Sequence, residues 1–142
     1  MLGAEPQIIK NYVEKGRVLL VFAPVLNHAD RSDQSHQAAE CAADQGRFWE
    51  MHEILFANQD LLWFGDVRGA VKQLAAEVDL DTVAFNACID GQQTLERIRS
   101  QDQFRQDLGI RGQPVFSIDG DYLIGAQSYD TYANLINQKL GQ

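Results

Sequence analysis

The chain has 142 residues, of which 45% are apolar, and it carries a formal net charge of −8. That length suits one domain with a core of its own and is too short for two ordinary domains. The 12 Lys and Arg residues are outnumbered by 20 acids and form no basic run, so we expect no nucleic-acid partner. No segment approaches the ~20 apolar residues of a spanning helix, so we expect no membrane span.

The first predicted elements are a short helix and a buried strand. Glu5 to Lys15 has Pro6 in a suitable first turn, and Gly16 ends the helix. Arg17 to Ala23 is a continuous apolar run, which is typical of a strand buried on both faces in a parallel sheet. Asn27 to Asp33 is expected to be a polar loop.

Helices are predicted throughout the middle of the chain. Polar caps, glycine stops and apolar residues spaced at about 3.6 positions indicate them. The predicted helices are Gln34–Gln45, Phe48–Asn58, Val67–Val78 after a cap at Asp66, a short helix from a cap at Asp81 to about Cys88, and Gln92–Leu108.

The C-terminal part contains a predicted hairpin and a final helix. Strand Val115–Ile118 follows Pro114, and an Asp-Gly turn leads into Tyr122–Ile124. Proline has no N–H for a sheet ladder, so it belongs at the first residue of a strand, and its Gly-X-Pro setting suits a cis bond. Ser128 is predicted to cap the last helix. No linker interrupts this order of elements, which predicts one domain with a helical insertion.

The two cysteines, Cys41 and Cys88, lie far apart in the sequence and neither begins a predicted helix. Thiol exchange needs a thiolate with a lowered pKa and a second cysteine within reach, so we expect no catalytic residue here. Cys41 is then either a small core residue or half of a structural disulfide with Cys88. The three histidines form no metal pattern with these cysteines, and no cofactor motif occurs, so we expect neither metal nor cofactor.

The chain resembles the DsbA-like thiol–disulfide oxidoreductases, whose thioredoxin fold contains an inserted helical domain. The matching segments run along the whole chain: Tyr12–Val18, Ala38–His52, Phe85–Cys88, Leu108–Phe116 and Ile124–Gln127. The resemblance implies an α/β, thioredoxin-like fold and the exchange of disulfides with protein clients. It assigns residues 1–26 and 105–142 to the thioredoxin part and residues 27–104 to the helical insertion.

The sequence departs from the family pattern at its start and at Gln113. In the family, a first strand and a Cys-X-X-Cys precede the segment that matches Glu5, and Thr or Val usually stands at Gln113. One hypothesis is an N-terminally truncated oxidoreductase domain that is inactive as given. The alternatives are a complete, non-redox peptide-binding module, or a glutathione-dependent isomerase or transferase of the same fold. The family implies an extracytoplasmic protein if a signal precedes Met1, and a true start at Met1 implies a cytoplasmic one.

The resemblance also implies a binding site and an oligomeric state. In the family, the backbone at the cis-proline loop pairs with an extended client peptide, which makes Gln113 and Pro114 the expected substrate-binding residues. The alternative is that Pro114 only shapes a turn and does not take part in binding. The family's first strand lies between those equivalent to Val18–Phe22 and Val115–Ile118. Its absence predicts a homodimer that joins or exchanges strands, or direct pairing of those two segments.

Overall fold

The computed structural model describes residues 3–142 as two units, one inserted into the other along the chain. The first unit runs to Phe22 and resumes over Gln106–Gln142, whereas the second is Ala23–Arg105. The described helices are α1 Glu5–Ile8, which continues as a π-helix over Ile9–Val13, α2 Asp30–Ala43, α3 Phe48–Ala57, α4 Gln59–Trp63, α5 Val67–Ala75, α6 Thr82–Asp90, α7 Leu95–Asp107 and α8 Tyr129–Lys139. The described strands are β1 Val115–Ile118 and β2 Asp121–Ile124.

The inserted unit is helical and has its own core. The Ala-rich face of α2 allows α3, α5 and α6 to approach closely, and the large side chains of those helices fill the space between them. Ala38, Met51, Val71 and Phe85 are all fully buried in this core. The apolar period predicted after Asp66 is therefore the buried face of α5.

Two of the three predicted helix caps are present. The Asp81 carboxylate accepts hydrogen bonds from the N–H groups of Val83 and Ala84, and the Ser128 hydroxyl accepts one from Thr131. Asp66 occupies the position before α5, but its side chain makes no capping hydrogen bond. Several boundaries also differ from those predicted: α2 already begins at Asp30, within the expected loop, α5 ends at Ala75, and the separate helix α4 was not predicted.

The first unit packs α1 and α8 against one face of a hairpin. β1 and β2 are antiparallel, with Val115 opposite Ile124 and Ile118 opposite Asp121. The turn residues Asp119 and Gly120 both have positive φ, 46° and 87°, as a type I′ hairpin turn requires. The core of this unit contains the buried residues Ile8, Tyr12, Tyr132, Ala133 and Ile136, with Phe116, Ile118 and Leu123 of the hairpin packed against them.

The prediction of a buried strand at Arg17–Ala23 is wrong. This segment belongs to no sheet, and the sheet formed by the described residues contains β1 and β2 alone. A strand exists only where a neighbour accepts and donates its backbone hydrogen bonds, and residues 18–21 make no such bond with the rest of the described chain. Direct pairing of this segment with β1, which the sequence offered as the alternative to a dimer, does not occur among the described residues either. Leu19 and Val21 are 84% and 74% exposed instead of buried on both faces.

Candidate functional site

Gln113 and Pro114 lie in an exposed loop that leads into β1. Arg111, Gly112 and Gln113 are exposed, Pro114 is half-buried, and the Gln113–Pro114 peptide bond is cis. Within residues 3–142, no hydrogen bond involves Gln113. Its main chain and side chain are therefore accessible to a ligand.

The loop continues into an open strand edge. The Pro114 carbonyl accepts a hydrogen bond of 2.9 Å from the Gly125 N–H. Because bonded and non-bonded pairs alternate in an antiparallel ladder, Phe116 and Ile118 bond to β2, whereas Val115 and Ser117 direct their N–H and C=O groups to the opposite edge. No other described strand lies along that edge. It can therefore accept an added strand through main-chain hydrogen bonds.

Side chains on the inner face of the hairpin hold this edge in place. The rings of Phe116 and Tyr132 pack at 4.7 Å, and the Tyr132 hydroxyl accepts a hydrogen bond from the Gln127 N–H. At the far end, the Lys139 ammonium lies 2.8 Å from the Asp121 carboxylate, which raises the pKa of Lys139. The edge is thus presented by a strand that is anchored to the core of its unit.

The cysteines are joined to each other inside the helical unit. Cys41 of α2 and Cys88 of α6 form a disulfide with a Cα–Cα distance of 6.0 Å, and they are 1% and 6% exposed. The Cys41 sulfur lies 3.9 Å from the Thr94 hydroxyl oxygen. A client disulfide cannot approach these covered sulfur atoms without the helices separating, so the arrangement does not support exchange chemistry.

Two histidines of the helical unit have a lowered pKa: His52 is buried and His36 is half-buried. His52 of α3 packs between Phe48, Trp49 and Phe56, and burial lowers its pKa to about 4, with the charge of His36 as a smaller cause. Burial also lowers the pKa of His36, against the opposing effects of a hydrogen bond to the Val25 carbonyl and of nearby carboxylates. The His52 imidazole is therefore neutral near pH 7 and acts as a packing group.

A buried carboxylate, which the sequence analysis missed, positions the chain just before α2. Asp102 of α7 is 5% exposed and accepts hydrogen bonds from the Leu26 N–H at 3.1 Å and from the Arg105 guanidinium at 2.9 and 2.7 Å. The sequence signal was the acid–base spacing of three residues on a helix, which brings both side chains to one face. Asp102 holds the backbone of Leu26 in place within the helical unit, whereas β1 belongs to the first unit.

The described residues contain no group of three or more His, Cys, Asp or Glu side chains that could hold a metal ion. None of the helices between residues 3 and 142 combines the length and apolar character needed to cross a bilayer.

The family model that matches this sequence is described as thioredoxin and covers residues 2–138. Among curated proteins, Na(+)/H(+) antiporter NhaA 3 of Salinispora tropica is 33% identical over 120 residues, which are 82% of this chain and 18% of the antiporter. Disulfide bond formation protein D of Bacillus subtilis is 23% identical over 141 residues, which are 95% of this chain and 63% of that protein. The chain thus spans less than a fifth of the antiporter and under two thirds of the Bacillus protein.

Two solved structures share the fold. Oxidised BdbD from Bacillus subtilis superposes with a TM-score of 0.85 at 22% identity, over 96% of this chain and 76% of BdbD. Wolbachia pipientis alpha-DsbA1 superposes with a TM-score of 0.81 at 19% identity, over 99% of this chain and 77% of alpha-DsbA1. The fold is therefore thioredoxin-like with an inserted helical subdomain.

Proposed function

We propose that this chain, which belongs to the thioredoxin family and has a DsbA-like fold, is the client-binding part of a thiol–disulfide oxidoreductase domain. It binds extended segments of protein clients at Gln113, Pro114 and the adjoining edge of β1. The observation that carries this proposal is the outward direction of the backbone groups of Val115 and Ser117, next to an exposed Gln113.

Binding through strand addition uses the main chain of the protein more than its side chains. The edge offers an N–H and a C=O at Val115 and again at Ser117, which is the repeat that an added strand requires. A departure from the family's usual Thr or Val at Gln113 therefore leaves the main-chain contacts available. Recognition of this kind tolerates many client sequences.

The two cysteines of the chain do not take part in this function. Their sulfur atoms are bonded to each other and buried, and thiol exchange needs an accessible thiolate. We therefore propose that the chain binds clients and does not exchange disulfides through Cys41 or Cys88. Glutathione is a competing ligand class that the binding experiment includes.

The experiment measures binding of a fluorescent insulin B chain whose cysteines have been alkylated, so that no exchange can occur. Ser117→Pro removes one outward N–H of β1, and we expect affinity to fall about tenfold, the effect of losing roughly 1.4 kcal/mol. Tyr122→Pro is the matched control, because Tyr122 is paired with Ser117 and directs its N–H to the outer edge of β2. Gln113→Ala should leave affinity within about twofold, since main-chain contacts dominate.

Equal losses in Ser117→Pro and Tyr122→Pro would show that the peptide does not use the edge of β1. Binding of glutathione in competition with the peptide would instead favour the isomerase or transferase alternative. Circular dichroism on every variant establishes that the hairpin is still folded.

We further propose that the chain forms a homodimer. Large aliphatic side chains of the first unit are exposed at Leu19, Val21 and Ile124, by 84%, 74% and 75%. Exposed apolar side chains beside strand edges without partners favour association with another chain. Sedimentation velocity at increasing protein concentration tests this, and a monomer throughout would contradict it.

The antiporter relatives support a second candidate function. The matching segment is a minor part of the antiporter, which suggests a domain of this type working together with an ion transporter. In this alternative the chain acts on exposed segments of such a transporter. The test deletes the matching segment from the Salinispora antiporter and measures ion exchange with and without the purified chain. Exchange that is identical in all cases would contradict the idea.

A further inference from the structure

Exposed apolar side chains gather where α4 of the helical unit ends. Leu61, Trp63 and Phe64, which we call the α4 patch, are 48%, 40% and 88% exposed, whereas Leu62 packs against the core of the unit. The Phe64 N–H donates a hydrogen bond of 3.2 Å to the Asp60 carbonyl, so the helical turn continues to Phe64. Residues three and four apart on a helical turn lie on one face, which places Leu61 and Phe64 side by side with Asp60 at their border.

The indole of Trp63 is held in position by two neighbouring side chains. The centroid of the His28 ring lies 4.9 Å from that of Trp63 in an edge-on arrangement, and the Arg31 guanidinium carbon lies 5.5 Å from the Trp63 centroid. The quadrupole of an aromatic ring attracts a cation above its face, which favours this arrangement. An indole that is already fixed loses little conformational entropy when a partner covers it, and Trp is a frequent anchor of protein interfaces.

Negative charge borders the α4 patch. The Asp60 and Asp66 side chains are exposed, and neither carboxylate forms an ion pair or a hydrogen bond with any of residues 3–142. Arg31 brings one positive charge to the patch, and the chain as a whole carries a net charge of −8. A partner that covers the patch therefore gains from positive charge at its own border.

We propose that the α4 patch is a docking site for a segment of another protein that carries aliphatic or aromatic side chains next to Lys or Arg. The apolar side chains of that segment cover Trp63 and Phe64, and its cations lie beside the carboxylates of Asp60 and Asp66. The site belongs to the helical unit, whose core is closed, and it is independent of the client binding proposed at Gln113.

Two other occupants fit these charges less well. In a two-fold pairing of the chain through the α4 patch, the Asp60 and Asp66 carboxylates of both copies would approach each other, and each copy carries a net charge of −8. A membrane surface would accept Phe64, but membrane-binding segments place Lys and Arg beside their apolar side chains because many headgroups are anionic. Carboxylates at the border therefore favour a basic segment of a protein over both.

The experiment uses a fluorescein-labelled amphipathic peptide of leucine and lysine, whose anisotropy measures binding. Phe64→Ser should lower the affinity about tenfold or more, the order expected when an aromatic side chain can no longer be buried. Val83→Ser is the matched control, because Val83 is 79% exposed in α6 of the same unit, and it should change the affinity by less than about twofold. Both positions are exposed, so the variants should fold, and circular dichroism checks this.

A second pair of variants tests the charge at the border of the patch. Asp60→Asn should lower the affinity about threefold, as for the loss of one exposed ion pair. Glu77→Gln removes the same charge from an exposed position elsewhere in the helical unit and should leave the affinity unchanged at physiological salt. A peptide with glutamate in place of lysine should not bind to the wild-type chain.

The fluorescence of Trp63 locates the bound peptide. The chain has two tryptophans, and Trp49→Phe leaves Trp63 as its only indole. The emission of Trp63 should then shift to shorter wavelength as the peptide covers the ring. An emission that does not shift while the anisotropy rises would show that the peptide binds elsewhere, which would overturn the proposal.

Other outcomes would also overturn it. These are a wild-type chain that does not bind the lysine peptide, equal affinities for the wild type and Phe64→Ser, equal losses in Phe64→Ser and Val83→Ser, and equal binding of the glutamate peptide. Self-association that Phe64→Ser abolishes would assign the patch to a second copy. Flotation with vesicles of phosphatidylcholine and phosphatidylglycerol that Phe64→Ser abolishes would assign it to a membrane. Ser117→Pro should leave the affinity for the lysine peptide unchanged, so that this site and the client site can fail separately.

Discussion

The two units of the chain differ in how completely they bury apolar side chains and pair backbone N–H and C=O groups. In the helical unit, Phe85, Met51 and Val71 are fully buried and a disulfide joins two of the helices. In the other unit, Leu19 and Val21 are largely exposed beside backbone groups without partners. The difference follows from secondary structure. A helix bonds its backbone within itself, whereas a strand depends on a neighbour that another part of the sequence must supply.

The comparison separates a helical unit with its own closed core from a first unit that offers surfaces for binding. The helical unit has a closed core, although its surface also exposes apolar side chains such as Phe64 and Val83, by 88% and 79%. Open strand edges and exposed aliphatic side chains concentrate on the first unit, which also carries Gln113 and Pro114. We therefore place both proposed interactions, with client peptides and with a second copy, on the first unit.

The largest expected effect comes from opening the helical core. Phe85→Ala removes a fully buried ring, and we expect the free energy of unfolding to fall by about 3–5 kcal/mol. Val83→Ala is the control, because Val83 lies in the same helix and is 79% exposed, and it should change stability by less than about 0.5 kcal/mol. Urea unfolding measures both. Similar effects for the two variants would show that Phe85 does not lie on the buried face of α6.

The second largest effect on stability is expected from removing the disulfide. Replacing Cys41 and Cys88 together by Ala should lower the free energy of unfolding by about 2–4 kcal/mol, since the bond closes a long loop in the unfolded chain. The native circular dichroism of the chain should be unchanged, since the bond acts mainly by constraining the unfolded chain. A double variant as stable as the wild type would contradict a structural role for the bond.

The same variant checks that the disulfide has no catalytic role. Reduction of insulin by dithiothreitol should proceed at the uncatalysed rate with the wild type and with the double variant alike. The reason is the burial of both sulfur atoms, at 1% and 6% exposure. Turnover by the wild type that disappears in the variant would show that the bond opens and takes part in exchange.

A smaller effect depends on pH. The native state holds His52 neutral down to a pKa of about 4, whereas the unfolded chain takes up the proton near 6.5. The contribution of neutral His52 to the free energy of unfolding is therefore complete above pH 6.5. It is lost as the pH falls towards 4, which lowers the free energy of unfolding by up to about 3 kcal/mol. The lowered pKa of His36 acts in the same direction.

Unfolding measured between pH 7 and pH 4 checks this prediction. His52→Gln should flatten the curve, and His28→Gln, at an exposed position, should not. A curve that is equally steep in His52→Gln would assign the pH dependence to other groups.

The helical unit was largely predictable from the sequence because its signals are local. The cap at Asp81 and the apolar period after Asp66 lie within a few residues of the helices they define. The hairpin was predictable for the same reason, since Asp119 and Gly120 specify its turn. Val18–Phe22 was predicted wrongly because an apolar run indicates the tendency to form a strand but not whether a partner is present. The role of Asp102 was missed because its partner, the Leu26 N–H, is distant in the sequence.

The smallest expected effect gives the sharpest comparison between the units. Leu19 and Leu74 are the same residue type, but Leu19 is 84% exposed and Leu74 is 2% exposed. At protein concentrations where the chain is monomeric, Leu19→Ala should change the free energy of unfolding by less than about 0.5 kcal/mol, whereas Leu74→Ala should cost about 2–5 kcal/mol. At concentrations where the dimer forms, Leu19→Ala should become destabilising, because unfolding is then linked to dissociation and Leu19 contributes to the interface. Leu74→Ala should cost the same at both concentrations. A large cost of Leu19→Ala in the monomer would mean that Leu19 is buried within its own chain, and the first unit would then be as closed as the helical one.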